Sequence, residues 1–242
     1  MPDARQDRVA LVTGASSAVG AAAAAALARD CAAVAVHYHS RREGALRAAE
    51  GVRSAGAEAF VVPADLFRDE GPAALVARVR RKLGRIDVLV HVPGPFLQKP
   101  WDRLDPSDWH GMLRSNVVSA YGCLLAVLPG MRRRKWGRIV FFGYGRVEQA
   151  GAFPGILPYA AAKSGLLLLT RTAAAAEAPR GITVNMVSPG LISGGVRPRQ
   201  IDPRAYPLGT AGDVGEAVRF LASGEAARIT GSDLIVAGTW KM

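Results

Sequence analysis

Short apolar, often β-branched runs alternate along this chain with longer stretches whose apolar positions recur every three to four residues. Such alternation predicts a parallel sheet covered by helices on both faces. The runs at 9–12, 33–36, 60–62, 88–90, 139–142, 182–185 and 234–236 predict seven strands. Between them, the stretches 19–29, 44–54, 71–83, 106–131, 159–178 and 212–221 predict helices. The expected fold class is α/β, a doubly wound sheet of seven parallel strands formed by residues 1–242 as one domain. Residues 193–209, rich in proline, glycine and arginine without periodicity, are expected to form a short lid over a site.

Composition agrees with one large core. The 242 residues are 50% hydrophobic and 21% charged, which excludes a disordered tail. The net charge of +11 attracts anions such as a dinucleotide phosphate or an acyl carrier. Its densest run, Arg132, Arg133, Arg134 and Lys135, follows a predicted helix, where cations complement the dipole. A solvated helix end is expected there, and no nucleic-acid partner. Cys31 and Cys123 form neither a CxxC pair nor a cluster with the four histidines, so no metal site is expected. The polar N-terminus leads directly into a strand, and no stretch reads as apolar enough to span a bilayer. A cytoplasmic protein without a membrane partner is expected.

Candidate chemistry collects where predicted strands end. The first strand runs into Thr13, Gly14, Ala15, Ser16, Ser17, Ala18, Val19 and Gly20, then a helix. Glycines there let backbone N–H groups approach a pyrophosphate at a helix N-terminus, which makes the sheet Rossmann-type. After the second strand, where NAD-binding folds place a ribose-binding acid, stand His37, Tyr38, His39, Ser40 and Arg41. Guanidinium, hydroxyl and imidazole groups suit a 2′-phosphate, so NADP(H) is expected in preference to NAD(H); the alternative is a solvated helix start. Tyr159 and Lys163, four residues apart on a predicted helix, share one face. A neighbouring ammonium favours the anion of a phenol whose ordinary pKa is about 10, and such a tyrosine can exchange a proton with a carbonyl or alcohol oxygen. Taken alone, the pair also fits an aromatic ring packed on an aliphatic stem.

With these motifs in order, the chain resembles the short-chain dehydrogenase/reductase superfamily, in the branch that includes 3-oxoacyl-carrier-protein reductases and pteridine reductases. The resemblance rests on the loop from Thr13 to Gly20, Asp65 with Leu66, Gly94, residues 115–119, Tyr159 with Lys163, and residues 188–193. It implies an NADP(H)-dependent carbonyl reductase or alcohol dehydrogenase acting on 3-oxoacyl or related carbonyl compounds, or alternatively on a pteridine. It also implies that Asp65 contacts the adenine, that Leu66 and Gly94 line the dinucleotide site, and that Asn116 holds a water in a proton relay. Lys163 would bind the nicotinamide ribose and lower the Tyr159 pKa, while Pro189, Gly190, Ile192 and Ser193 would hold the nicotinamide. A homotetramer is implied through helices 106–131 and 159–178, with a dimer as runner-up. Read singly, Asn116 also fits a helix cap, and Asp65 or the Pro189–Gly190 pair a turn.

Departures from the family pattern carry expectations of their own. Ala18 replaces a loop glycine, and its methyl is expected to shift the turn. His91, Val92 and Pro93 stand before Gly94 where the family has Asn-Asn-Ala, which predicts lost polar bracing of the central strand. Gly143 and Tyr144 occupy positions where the family usually carries serines, and the spacing to Tyr159 is longer. The missing serine polarises the substrate oxygen, and one such donor is worth about 2.7–4 kcal/mol in a transition state. Tyr144 either replaces it as a phenolic donor or only packs against cofactor or substrate; Ser164, adjacent to Lys163, does not share its face. The candidate catalytic set is Tyr159, Lys163, Asn116 and Tyr144. Phe96, Trp101, Phe153, Ile156 and Leu157 flank the expected pocket, and Arg197, Arg199 and Arg204 lie in its lid. That combination suits an apolar carbonyl compound with an acidic group. The departures also leave open a dinucleotide-binding sensor or assembly subunit with weakened catalysis.

Overall fold

In the computed structural model, residues 7–149, 151–193 and 208–238 are described. Seven strands, β1 Val9–Thr13, β2 Ala33–Tyr38, β3 Glu58–Pro63, β4 Val88–His91, β5 Gly137–Phe142, β6 Ile182–Pro189 and β7 Asp233–Val236, lie in the order β3-β2-β1-β4-β5-β6-β7. All pairings are parallel. Leu11 of β1 sits between Ala35 of β2 and Leu89 of β4, and all five β1 residues are buried. Helices on both faces bury both sets of side chains, which is why these strands read as continuous apolar runs.

The helices are α1 Ala18–Leu27, α2 Arg42–Ser54, α3 Gly71–Leu83, α4 Pro106–Leu113, α5 Ser119–Arg134, α6 Leu157–Glu177 and α7 Ala211–Ala222. One core layer joins Leu75, Leu124 and Leu166 to Leu89 and Ile139; the other joins Ala24, Leu27 and Val218 to Val12, Val34 and Val90. Strand order reverses between β1 and β4, and a doubly wound sheet opens a crevice at the C-terminal strand ends there. Gly14 follows β1 and Gly94 lies three residues beyond β4, both at that crevice.

The single helix expected at 106–131 is divided by a π turn, Arg114–Val118, between α4 and α5. Ser115 donates to the Gly111 carbonyl and Ser119 to the Ser115 carbonyl, each at 2.7 Å, so hydroxyls compete with the helical ladder where it widens. Contrary to expectation, the run Pro106–Arg134 is long and apolar enough to cross a membrane. Half of its most apolar 18-residue stretch is buried in the protein, as in the core helix of a folded domain. The expected lid lies outside the described residues over 194–207, with Arg197, Arg199 and Arg204.

Buried polar groups tie the elements together. Asp87, with no exposure, accepts the Val9 N–H at 3.0 Å, two Arg85 hydrogen bonds at 2.7 and 2.8 Å, and Arg134 Nε at 3.0 Å. Arg132 pairs with buried Glu177 at 3.0 Å. Two of the four cations ending α5 are therefore structural ion pairs, which corrects the purely solvated helix end expected there. Buried His91 bridges Thr13 Oγ1 at 3.0 Å and Ser119 Oγ at 3.1 Å. The bracing expected to be lost is supplied by the imidazole itself, which joins β4 to β1 and α5. His37 accepts the Gly14 N–H at Nδ1, 3.1 Å, and its Nε2 donates to the Ala64 carbonyl at 3.1 Å. Burial pushes His91 down to about 3, with the Lys163 ammonium adding to the effect, and pushes His37 down to about 4. Cys31 and Cys123 are free and buried, and burial pushes both thiols up to about 12, so neither is reactive.

Replacing Asp87 by Asn leaves two guanidinium groups without their carboxylate; chemical denaturation is expected to show a loss of about 3 kcal/mol. A change below the error of that measurement would remove Asp87 from this role. The two histidines set a pH dependence. Their folded pKa values lie below the ordinary value of about 6.5, so as pH falls the unfolded chain takes up protons that the folded chain refuses. Their contribution is complete above about pH 6.5 and shrinks as pH falls toward the folded values. Between pH 7 and 4.5 a His91→Asn variant should lose about 2 kcal/mol less stability than the parent in denaturant titrations. Parallel losses would refute a neutral, buried His91.

Candidate active site

The turn after β1 is built for close backbone approach. Gly14 has φ +67°, and a Cβ there would stand 3.2 Å from the Pro93 ring. A Cβ on Gly20 would stand 2.5 Å from the Gly14 carbonyl oxygen. Ser17 closes the turn, accepting the Gly20 N–H at 3.1 Å and donating to the Gly14 carbonyl at 2.9 Å. It thereby caps α1. Ala18 opens that helix with its side chain exposed, beside the Ser17 cap.

A crevice of about 550 Å³ runs from this turn to α6. It brings together the expected Gly14, Ser16, Ser17, Val19, His37, His39, Ser40, Arg41, Leu66, Gly94, Tyr159 and Lys163. Val92, Pro93, Pro95, Phe67, Phe142 and Gly143 also line it. The sequence signal for these was only their place just beyond, or at, the ends of β3, β4 and β5. His37 belongs to the wall as a strut: both ring nitrogens are engaged by backbone, so it holds the Gly14 turn rather than offering a charge. Tyr38 turns instead onto the core layer beneath α1 and α2. Asp65 lies outside the lining; its Oδ1 accepts the Phe67 N–H at 2.9 Å and stands 3.9 Å from His39 Nε2. A second cavity, about 450 Å³, opens at the N-terminus of α2 between Ser16, Ser40, Arg41, Arg42, Glu43 and Arg47.

Tyr159 lies in the first turn of α6 and Lys163 one turn later. Lys163, 2% exposed, donates from Nζ to the Phe142 carbonyl at 2.7 Å and lies 5.8 Å from the Tyr159 ring centroid. Burial pushes its ammonium down to about 7. Burial, followed by the neighbouring Tyr144, holds the Tyr159 hydroxyl well above its ordinary value. The expected lowering of the Tyr159 pKa is thus reversed in this geometry, because desolvation disfavours the phenolate. The phenol remains protonated at neutral pH, the form in which it can donate.

The π turn aims Asn116 at the same place. Its Nδ2 donates to the Met112 carbonyl at 3.0 Å, while its buried Oδ1 has no hydrogen-bond partner among the described residues. A Cβ on Gly94 would stand 2.3 Å from that Oδ1 and 2.7 Å from Lys163 Nζ. The missing side chain leaves room that both groups face, and a buried acceptor beside an ammonium suits a bridging water.

A side chain at Gly143, just beyond β5, would press on neighbouring side-chain ends. A Cβ on Gly143 would stand 2.3 Å from Ser188 Oγ and 2.6 Å from Met186 Sδ. Tyr144 is not among the residues lining the crevice; its ring centroid is 5.5 Å from that of Tyr159 and 6.4 Å from that of Phe153. Its hydroxyl is buried without a partner among the described residues. Pro189, Gly190, Ile192 and Ser193 follow the same strand ends but do not line the crevice. They are held by backbone bonds, Gly190 N to Val236 O and Ser193 N to Gly209 O, each 2.9 Å. The glycine turn, the capped α1 and the space beside Gly94 fit an extended dinucleotide.

Known proteins resemble this chain over nearly its whole length. Residues 14–239 match the family model described as Enoyl-(Acyl carrier protein) reductase. The chain is 32% identical to the 3-oxoacyl-[acyl-carrier-protein] reductase FabG of Staphylococcus epidermidis, covering 96% of this chain and 98% of that protein. It is 35% identical to FabG of Pseudomonas aeruginosa, covering 96% and 97%. Among solved structures, an NAD+-bound xylitol dehydrogenase superposes with a TM-score of 0.87 at 29% identity, over 97% of this chain and 99% of that one. Acetoin dehydrogenase YohF of Salmonella typhimurium gives 0.85 at 27%, over 96% and 98%. With its glycine turn, its Tyr159–Lys163 pair and these likenesses over nearly its whole length, the chain belongs to the short-chain dehydrogenase/reductase superfamily as an oxidoreductase similar to FabG and to alcohol and polyol dehydrogenases.

Proposed function

We propose that this protein is an NADP(H)-dependent carbonyl reductase, the reverse reaction being an alcohol dehydrogenation. The observation that carries this reading is that Lys163 and Asn116 meet beside Gly94 while Tyr159, Lys163 and Gly94 line a crevice that starts at the glycine turn. Bound NADPH would supply the hydride. Tyr159, protonated at neutral pH, donates its proton to the carbonyl oxygen as the alcohol forms. Lys163 would hold the ribose, and Asn116 Oδ1 would hold a water that returns a proton through Lys163. Asp65, Leu66 and His39 would flank the adenine half, and Pro189, Gly190, Ile192 and Ser193 the nicotinamide half. The relatives' names support a 3-oxoacyl or related carbonyl substrate as the starting class.

Preference for NADP(H) is supported by the second cavity, where Arg41, Arg42 and Arg47 meet Ser40 at a helix N-terminus. The NAD+-bound relative keeps NAD(H) as the alternative. A cytoplasmic location and a homotetramer, with a dimer as alternative, belong to the same proposal. Exposed Val118, Tyr121 and Leu125 near the start of α5, and Leu168 on α6, support a self-associating face. A second reading, a dinucleotide-binding sensor, is favoured by Gly143 and Tyr144 at the positions where serines were expected.

In an assay of NADPH fluorescence with a panel of carbonyl compounds, the protein should bind and consume the cofactor, and Tyr159→Phe should cut turnover at least about 100-fold with cofactor binding retained. Full turnover by that variant would remove Tyr159 as proton donor, and cofactor bound but never consumed would favour the sensor. The double variant Arg41→Ala, Arg42→Ala should weaken NADPH about tenfold and leave NADH unchanged in fluorescence titration. An equal effect on both cofactors would count against a 2′-phosphate site.

A further inference from the structure

Two chain segments that flank the reacting tyrosine are strapped together. The segment after β4 meets the loop before α6 through Lys99 N to Gly155 O at 2.9 Å and Trp101 N to Pro154 O at 2.8 Å. The Lys99 ammonium fixes that arm further, bonding Asp105 at 3.0 Å and Asp108 at 2.6 Å. The arms hold aromatic rings on either side of Tyr159. Phe96, 41% exposed, meets it edge to face with centroids 5.0 Å apart at 76°. On the other side Tyr144 lies at 5.5 Å and 56°, backed by Phe153 at 6.4 Å and 77°. Tyr159 thus has aromatic neighbours from both strapped segments, beside the crevice that its own side chain lines.

We infer that the carbonyl compound this site prefers is flat and conjugated, a ring ketone or ring dione in place of a flexible 3-oxoacyl thioester. The inference deepens the reductase reading and rests on it. Two independent observations carry it. First, pre-positioned aromatic rings reward a rigid planar partner, whereas a flexible acyl chain loses conformational freedom against them for little directional gain. Second, Gly143 and Tyr144 stand where a serine donor to the substrate oxygen was expected, and a Cβ at Gly143 would press on the Ser188 and Met186 side-chain ends. A carbonyl activated by a conjugated neighbour, such as an adjacent second carbonyl, accepts hydride with less help from a second hydrogen bond.

The test compares isatin with acetoacetyl-N-acetylcysteamine as substrates for NADPH-dependent reduction, together with calorimetric titration of isatin into protein saturated with NADP+. Isatin should be preferred by about tenfold or more in kcat/KM, and Phe96→Leu should reduce both that preference and the isatin affinity by up to about tenfold. Phe96 is exposed, so the variant should fold; Phe153→Leu on the opposite arm should act in the same direction. Preference for the thioester, or an isatin affinity unmoved in both variants, would overturn the inference while NADPH consumption left the reductase reading standing. Failure to bind NADPH would instead overturn the reading on which it rests.

Discussion

The site depends on the absence of one side chain, that of Gly94. Lys163 Nζ and Asn116 Oδ1 both reach the volume that any Cβ at this position would occupy. These two groups come from α6 and from the π turn before α5, which share no local sequence. Glycine at the turn after β4 lets them approach, and the order reversal between β1 and β4 places that turn opposite the glycine turn after β1. The crevice exists because neighbouring strands send their chains to opposite faces there.

Burial then sets the chemistry of the groups that meet. Lys163 is almost fully buried with a backbone carbonyl as its described hydrogen-bond partner, and its ammonium is correspondingly easy to neutralise. Tyr159 is held in its neutral form by the same desolvation, with Tyr144 beside it. A phenol kept protonated carries the proton that a nascent alkoxide would take up. The buried histidines belong to the same economy of charge: His91 and His37 remain neutral and use both ring nitrogens to tie strands and turns, keeping additional positive charge away from Lys163.

Tyr144 stands where the sequence pattern led one to expect a serine. A serine hydroxyl sits close to its own backbone, whereas a phenol extends far from it and brings a ring. Here that ring packs between Tyr159 and Phe153, and its hydroxyl ends in a buried position without a described partner. Phe96 and Tyr144 give Tyr159 two aromatic neighbours, with Phe153 behind Tyr144 and the two arms tied by backbone hydrogen bonds.

Much of this was legible in the chain itself. Continuous apolar runs separated by helical periodicity specified a parallel sheet with two covered faces, because strands buried on both sides have no polar face to show. The glycine turn and the Tyr159–Lys163 spacing specified local geometry that depends only on backbone freedom and helical pitch. The π turn was hidden, since its hydroxyl competition reads as ordinary helix at residues 114–118. The roles of His91 and His37 were hidden too, because an imidazole becomes a neutral strut only when distant groups such as Ser119 and Ala64 are brought to it. Sequence by itself determined the elements, their order and the positions of the reactive side chains. Tertiary structure alone decided their protonation and the aromatic surroundings of Tyr159, because desolvation and ring contacts arise between segments far apart in the chain.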